Sequence, residues 1–315
     1  MKMTVIVPTY RRPQDLERCL KALQQQTAAA DEVLAIVRDT DHETHTFLKA
    51  FNPMNLPLRT VTVTTPGAIA AINAGFVAAA GAMIAITDDD AAPHPDWLER
   101  IQVKFQSNPR IGGVGGRDYM YLGTQLVAGA EPIVGKLQWF GRMVGNHHLG
   151  IGSAREVDVL KGVNMSFRSS AIVGLRCDDR LKGSGAQVHF EVALCLAVKE
   201  RGWKLIYDPA IAVDHYPAQR FDEDERKHFS AVATANAVHN ETFILLNHSS
   251  WQQRFIYVCW SAIVGTRSAF GLVQLLRFLP TEGDLALHKW QAALQGRWQG
   301  WQTWHHVRSD RQESA

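Results

Sequence analysis

Ala82-Met83-Ile84-Ala85-Ile86-Thr87-Asp88-Asp89-Asp90-Ala91-Ala92 is the stretch that decides how the rest of the chain is read. Met83 to Ile86 is a short, unbroken apolar run, the pattern of a strand covered on both faces in a parallel sheet. It stops at three adjacent carboxylates, Asp88, Asp89 and Asp90, at what would be the strand's carboxyl end. In open α/β sheets, ligands bind at that end. Neighbouring carboxylates repel one another, so holding them together requires donor groups or a cation. A hard divalent ion with oxygen ligands, bridging to a substrate diphosphate, is the natural compensator. An acidic triplet taken alone is more often a solvated turn. The flanking sequence therefore has to decide.

Upstream, Thr4 to Val7 is apolar and β-branched and is broken by Pro8-Thr9-Tyr10. Pro13 is placed for the first turn of a helix whose Leu16, Cys19, Leu20 and Leu23 recur at i, i+3, i+4 and i+7. Val33 to Val37 is a second strand, ending in Arg38-Asp39-Thr40-Asp41, and Thr60 to Val63 a third. An alanine-rich helix with Ile69, Ile72 and Phe76 inward then leads to the opening stretch. Strand and helix alternating at this spacing predict an α/β fold with a Rossmann-like, mostly parallel sheet flanked by helices.

Downstream, Asp96 is placed to cap a helix with Trp97, Leu98, Ile101 and Phe105 on one side. Gly112-Gly113-Val114-Gly115-Gly116 has neither the dinucleotide spacing nor a P-loop Lys-Ser/Thr, and reads as a strand with close backbone approaches. His147-His148 falls in a loop-like stretch, and Lys161 to Phe167 reads as a turn into a strand. A helix with Phe190, Leu194 and Val198 inward precedes two short strands, Lys204 to Tyr207 and Ile211 to Val213, the second running into Asp214-His215.

The bulk numbers narrow the class. The 315 residues suffice for one large domain with an extension, and a net charge of +2 is too balanced to argue for nucleic acid, which is not expected as a partner. Four cysteines without a CxxC pair read as buried thiols in a reducing compartment. The apolar run before Pro8 is too short for a signal peptide. These features lead us to expect a cytoplasmic protein.

Together these motifs resemble the family-two glycosyltransferases of the GT-A fold, inverting enzymes that use a nucleotide-sugar donor. Val5 to Tyr10 looks like the family's opening strand and nucleotide-contacting turn, which implies donor contacts at Pro8, Thr9, Tyr10 and Arg11. Asp39, with Asp41 as the second choice, sits where the family's aspartate contacts the base. Asn73-Ala74-Gly75 through Asp88-Asp89-Asp90 resembles the helix, strand and D-x-D signature, implying donor roles for Asn73, Asp88 and Asp89. Gly162, Asn164 and Met165 resemble an acceptor-side segment, with Lys161 and Asn164 as acceptor-side candidates. Glu191 to Trp203 and Asp208 to His215 resemble the helix carrying the catalytic carboxylate and the strand after it. The resemblance covers roughly residues 3 to 216. It departs at Ile72, where the family often has an arginine, leaving diphosphate contacts to Arg11, Arg12 or Arg38. It departs again at Phe190-Glu191, which stands where the family has a Glu-Asp pair.

Inverting transfer needs a base for the acceptor hydroxyl, charge neutralisation at the leaving diphosphate, and in-line positioning. The resemblance assigns these to Glu191 as base and Asp90 as the main ligand of Mn2+ or Mg2+, with Asp88 on the ribose or the metal. His215 is a second ligand or a diphosphate contact. UDP is the expected donor nucleotide, and a glycan or lipid-linked molecule the expected acceptor, in surface polysaccharide or glycolipid synthesis. Two rivals remain at this point: a nucleotidyltransferase, disfavoured by a first turn that is not glycine-rich, and a catalytically silent GT-A-fold binding or scaffold protein.

The catalytic domain is expected over 1–219 and a helical extension over 220–315. Beyond the charged stretch Phe221 to Lys227, residues from Trp251 on hold six of the nine tryptophans, and seven Lys or Arg against four Asp or Glu. Two apolar pieces flank Arg267, each too short for the roughly 20 residues of a membrane span. The pattern suits a peripheral contact at the inner face of the cell membrane through 251–304. A soluble helical subdomain is the alternative.

Overall fold

The computed structural model describes residues 1–221 and 228–313, with side chains up to 309, so Asp222–Lys227 of the charged stretch lies outside the described residues. The chain forms two units: Met1–Lys136, Val144–Cys177 and Leu194–Ala218 make the first, and Leu137–Met143, Asp178–Ala193 and Gln219–Ala315 the second.

In the first unit β1 (Met3–Thr9), β2 (Glu32–Arg38), β3 (Leu58–Val63) and β4 (Met83–Ile86) run parallel in the order β4-β1-β2-β3. The helices between them are α1 (Pro13–Gln24), α2 (His42–Ala50) and α3 (Ala68–Ala78). Leu16, Cys19, Leu20 and Leu23 are buried as their spacing predicts. All four residues of β4 are buried, the reason the run carries no alternation. The chain steps outward from β1 to β3 and then returns to the other side of β1. The carboxyl ends of β1 and β4 therefore flank a topological switch point.

Beyond β4 the sheet becomes mixed. After β5 (Ala91–Pro93) and α4 (Trp97–Ser107) come β6 (Ile111–Leu122), β7 (Arg155–Val157), β8 (Met165–Arg168) with the single turn α5 (Ser169–Ile172), then α6 (Phe190–Glu200) and β9 (Lys204–His215). The full order is β7-β9-β6-β8-β4-β1-β2-β3, with β8 antiparallel to both β4 and β6, and β9 parallel to β6. β9 is one strand with an irregularity between Asp208 and Val213, where the sequence suggests two, because Pro209 interrupts the ladder without ending the strand.

The glycine run does lie in a strand, β6, and its glycines answer to close neighbours. A Cβ on Gly116 would sit 1.7 Å from the carbonyl oxygen of Ile211, a backbone atom that has nowhere to go. Three smaller expectations are corrected. Asp96 precedes α4 but makes no cap hydrogen bond, its carboxylate being taken by Arg100 at 2.6 Å. Phe76 and Phe190 are half-buried rather than inward, and at α3 it is Gly75 that meets the core, against Ile6.

The second unit is helical: α7 (Ala231–His248), α8 (Trp251–Ile263), α9 (Leu272–Glu282) and α10 (Asp284–Glu313). Gly296 and Gly300, one turn apart on α10, lie against the carbonyls of Ala235 and His239, so α7 and α10 approach closely. No described helix is long and apolar enough to cross a membrane.

Gly116→Ala is expected to cost about 3 kcal/mol, since relief requires moving β9 backbone; urea melts measure it. His147 is buried, with Nε2 2.9 Å from the Val159 carbonyl, and burial pushes its imidazole down from 6.5 to about 4. The unfolded chain binds that proton first, so His147 contributes stability above pH 6.5 that is lost as the pH falls to about 4. His147→Gln, keeping a donor, is expected to flatten that part of the pH–stability curve.

Candidate active site

β4 ends at Ile86, and Thr87 fixes the departure: its N–H donates to Ile6 O (3.2 Å) and its hydroxyl to Val163 O (3.0 Å). The three aspartates that follow are therefore folded into the switch point instead of into solvent. Asp89 and Asp90 are almost fully buried and Asp88 half-buried. Arg12, just past β1, supplies the cation: Nη2 lies 2.9 Å from Asp89 Oδ1 and Nη1 3.3 Å from Asp90 Oδ2. Asp90 Oδ2 also accepts from Ala218 N (2.9 Å), and Asp90 O from Tyr216 N (2.9 Å), so the segment after β9 is tied over the turn.

One guanidinium does not neutralise three carboxylates. Burial pushes Asp88 up, with Asp90 adding to the rise, and burial lifts Asp89 to about 8 against the pull of Arg12. Burial draws Arg12 down, but Asp89, Asp90 and Asp88 outweigh it and hold the guanidinium above its ordinary value.

β9 delivers His215 to the same place. Its Nε2 lies 3.5 Å from Asp90 Oδ1, and its Nδ1 3.3 Å from Asp118 Oδ2. Asp118, on β6, is fully buried and also takes a hydrogen bond from Lys161. Burial would raise Asp118, but the hydrogen bond from His215 and the charge of Lys161 outweigh it and hold the carboxylate below its usual range. An ionised Asp118 accepts only, so in the neutral ring Nδ1 carries the proton and Nε2 turns a lone pair toward Asp90. Asp90 Oδ1 and His215 Nε2 are both buried and have no hydrogen-bond partner among the described residues. Ligand atoms of Asp88, Asp90 and His215 all lie within 4.8 Å of one another. Two carboxylates and an imidazole held by a carboxylate behind it fit a divalent cation of the Mn2+ class.

The other candidates divide. Pro8, Thr9 and Tyr10 line the end of β1, with Thr9 buried, and Arg11 follows exposed, its guanidinium 5.1 Å from the Tyr10 ring. Asp39 lies exposed past β2, beside Arg38. Asp41 is spent: it caps α2 through Thr44 and accepts from Arg11 N at 2.6 Å. Asn73 is held to the backbone of Cys177 by two hydrogen bonds, 2.9 and 2.8 Å. Asn164 accepts from the indole of Trp97 (2.9 Å) and donates to Arg117 O and Ile211 O. Both amides are buried and hydrogen-bonded within the fold. Lys161 is partly exposed and faces Asp118. Glu191 lies in the second unit, half-buried in the first turn of α6. His147 is buried, with its Nε2 2.9 Å from the Val159 carbonyl oxygen.

One neighbour of the site, Asp118, escaped the sequence reading. Asp118 sits in a long strand with no motif around it. Arg12 was one of three possible arginines, and its pairing needs the fold.

The sequence pattern of Glycosyl transferase family 2 matches residues 4–177. The chain belongs to that family. Two relatives are from Haloferax volcanii: glycosyltransferase AglE, 31% identical over 120 residues, and a glucosyl-dolichyl phosphate glucuronosyltransferase, 24% identical over 222 residues. The matches span 36% of this chain and 38% of AglE, and 68% of this chain and 69% of the second relative. Among solved structures, S. aureus TarS 1-349 with UDP-GlcNAc superposes with a TM-score of 0.59 at 16% identity, covering 93% of this chain and 80% of that one. The mannosyltransferase PcManGT of Pyrobaculum calidifontis with GDP-Man and Mn2+ gives 0.56 at 17%, covering 94% and 84%. The fold is GT-A, and the family membership makes this family-2 protein a glycosyltransferase by family, which disfavours the nucleotidyltransferase reading.

Removing Arg12 from the acidic turn tests its balance. Arg12→Ala is expected to lower stability by about 2 kcal/mol, the penalty for a broken buried pair reduced for the partial exposure of Arg12. An unchanged urea midpoint would mean that Asp89 and Asp90 need no counter-charge.

Proposed function

We propose that this glycosyltransferase is metal-dependent and inverting. It would move a sugar from a nucleotide-sugar, with UDP as the nucleotide, to a hydroxyl of a glycan or lipid-linked acceptor in surface polysaccharide or glycolipid synthesis. The observation that carries the reading is the convergence of Asp88, Asp90 and His215 at the switch point, with Asp90 Oδ1 and His215 Nε2 buried and lacking hydrogen-bond partners among the described residues. Mn2+ or Mg2+ held there supplies charge neutralisation for the leaving diphosphate.

The chain's own groups do the rest. The turn Pro8-Thr9-Tyr10-Arg11 and Asp39, at the carboxyl ends of β1 and β2, are where the nucleoside would lie, with Asp39 rather than Asp41 toward the base because Asp41 is already a cap. Asp118 keeps His215 in one tautomer, and Lys161 keeps Asp118 ionised. Glu191 is the base: its carboxylate takes the acceptor proton while the acceptor oxygen bonds to the anomeric carbon and the bond to the diphosphate breaks on the opposite face, with inversion. Glu is longer than Asp by one methylene and reaches farther from the start of α6. The solved relatives bound to UDP-GlcNAc and to GDP-Man with Mn2+ support a nucleotide-sugar donor, and the dolichyl phosphate named for one curated relative supports a lipid-linked acceptor. We assign donor and catalytic chemistry to 1–219, work at the cytoplasmic face of the membrane, and membrane contact to the helical part within 220–315.

Glu191→Gln is expected to bind nucleotide normally and to lose transfer by about 10²-fold or more, the contribution of a positioned base. Radiolabelled sugar transfer beside nucleotide binding measures both. Full turnover in Glu191→Gln would remove Glu191 from the mechanism.

A further inference from the structure

The second unit carries a surface that the donor chemistry does not use. Helix α8 exposes Trp251 (72%), Phe255 (68%) and Val258 at i, i+4 and i+7, and α9 exposes Leu272, Leu276 (62%) and Leu279 at the same spacing. These are surplus faces, because each helix already has a core side. Tyr257 of α8 packs with Leu245 and Leu246 of α7, and Leu275 of α9 packs with Phe270 and Ala286. A helix apolar on both sides requires a second apolar medium.

The charge pattern says which medium. Residues 249–281 contain no Asp or Glu and three arginines, Arg254, Arg267 and Arg277. The guanidinium groups of Arg267 and Arg277 lie 5.7 and 5.4 Å from the ring of Phe278, so two of the three gather beside the last turns of α9. At 13 and 11 residues neither helix approaches the length of a span. Short apolar faces with tryptophan and arginine at their margins lie in the plane of a water–lipid boundary. A second copy of the chain would have to bring six arginines and no carboxylate into one interface, which disfavours it.

We infer that the exposed faces of α8 and α9 are an in-plane docking surface for a membrane leaflet bearing anionic lipid. This deepens the lipid-linked acceptor reading, since it would hold the enzyme where such an acceptor lies, but it stands on its own residues.

Vesicle flotation of the full chain tests it, with phosphatidylcholine alone and with phosphatidylglycerol added. The protein is expected to float with the anionic vesicles in a salt-sensitive way, with a blue shift of tryptophan emission. Phe255→Ser with Leu276→Ser is expected to weaken partitioning at least tenfold. Arg267→Gln with Arg277→Gln is expected to weaken it about 25-fold on anionic vesicles alone, roughly fivefold for each charge. Far-UV circular dichroism confirms that the variants fold, and nucleotide binding followed in the same samples separates a failure here from a failure of the donor reading. Wild-type protein that binds neither vesicle, or variants that bind as well as wild type, would overturn the inference. So would a wild-type dimer made monomeric by Phe255→Ser with Leu276→Ser, which would give the face to a second copy.

Discussion

Three carboxylates pressed into a buried turn, with one guanidinium between them, are the constraint around which the first unit is built. Arg12 touches Asp89 and Asp90 from the end of β1, and the backbone of Tyr216 and Ala218 closes over Asp90 from the far side. Such a cluster is unfavourable as an isolated object. It is tolerated because the residues around it are over-determined: Thr87 is pinned to β1 and to Val163, and His215 is pinned to Asp118. The remaining imbalance favours a cation there, which the proposed handling of a diphosphate would use.

The architecture places that imbalance where it is useful. β4 must cross back over β1 to join the sheet, and the crossing opens the crevice that the acidic turn lines. On the other side, β6 and β9 carry Asp118 and His215 to the same point, and the close backbone approach at Gly116 lets these two strands run side by side.

Much of this was legible in the residues themselves. The continuous apolar run of β4, the i, i+3, i+4, i+7 spacing of α1 and the aspartates at the strand end each report local physics that survives folding. Asp118 could not be read, because its importance comes from a partner 97 residues away. The hydrogen bonds of Asn73 and Asn164 were hidden for a related reason: both amides reach backbone brought near by the fold. The helix α2 was missed because its short sequence, His42 to Ala50, buries only Thr44 fully and so shows little periodicity. β8 was read as a strand, but its antiparallel direction has no local signature, since strand direction is a property of the connection and not of the strand.

The central claim is that the acidic turn at the switch point holds a nucleotide through a divalent cation. Calorimetric titration of UDP into the purified chain, with manganese and with a chelator, for wild type and for Asp90→Ala, addresses it most directly. The account predicts binding that requires manganese and is lost in Asp90→Ala. Binding of UDP that is indifferent to manganese, or that persists unchanged in Asp90→Ala, would contradict it.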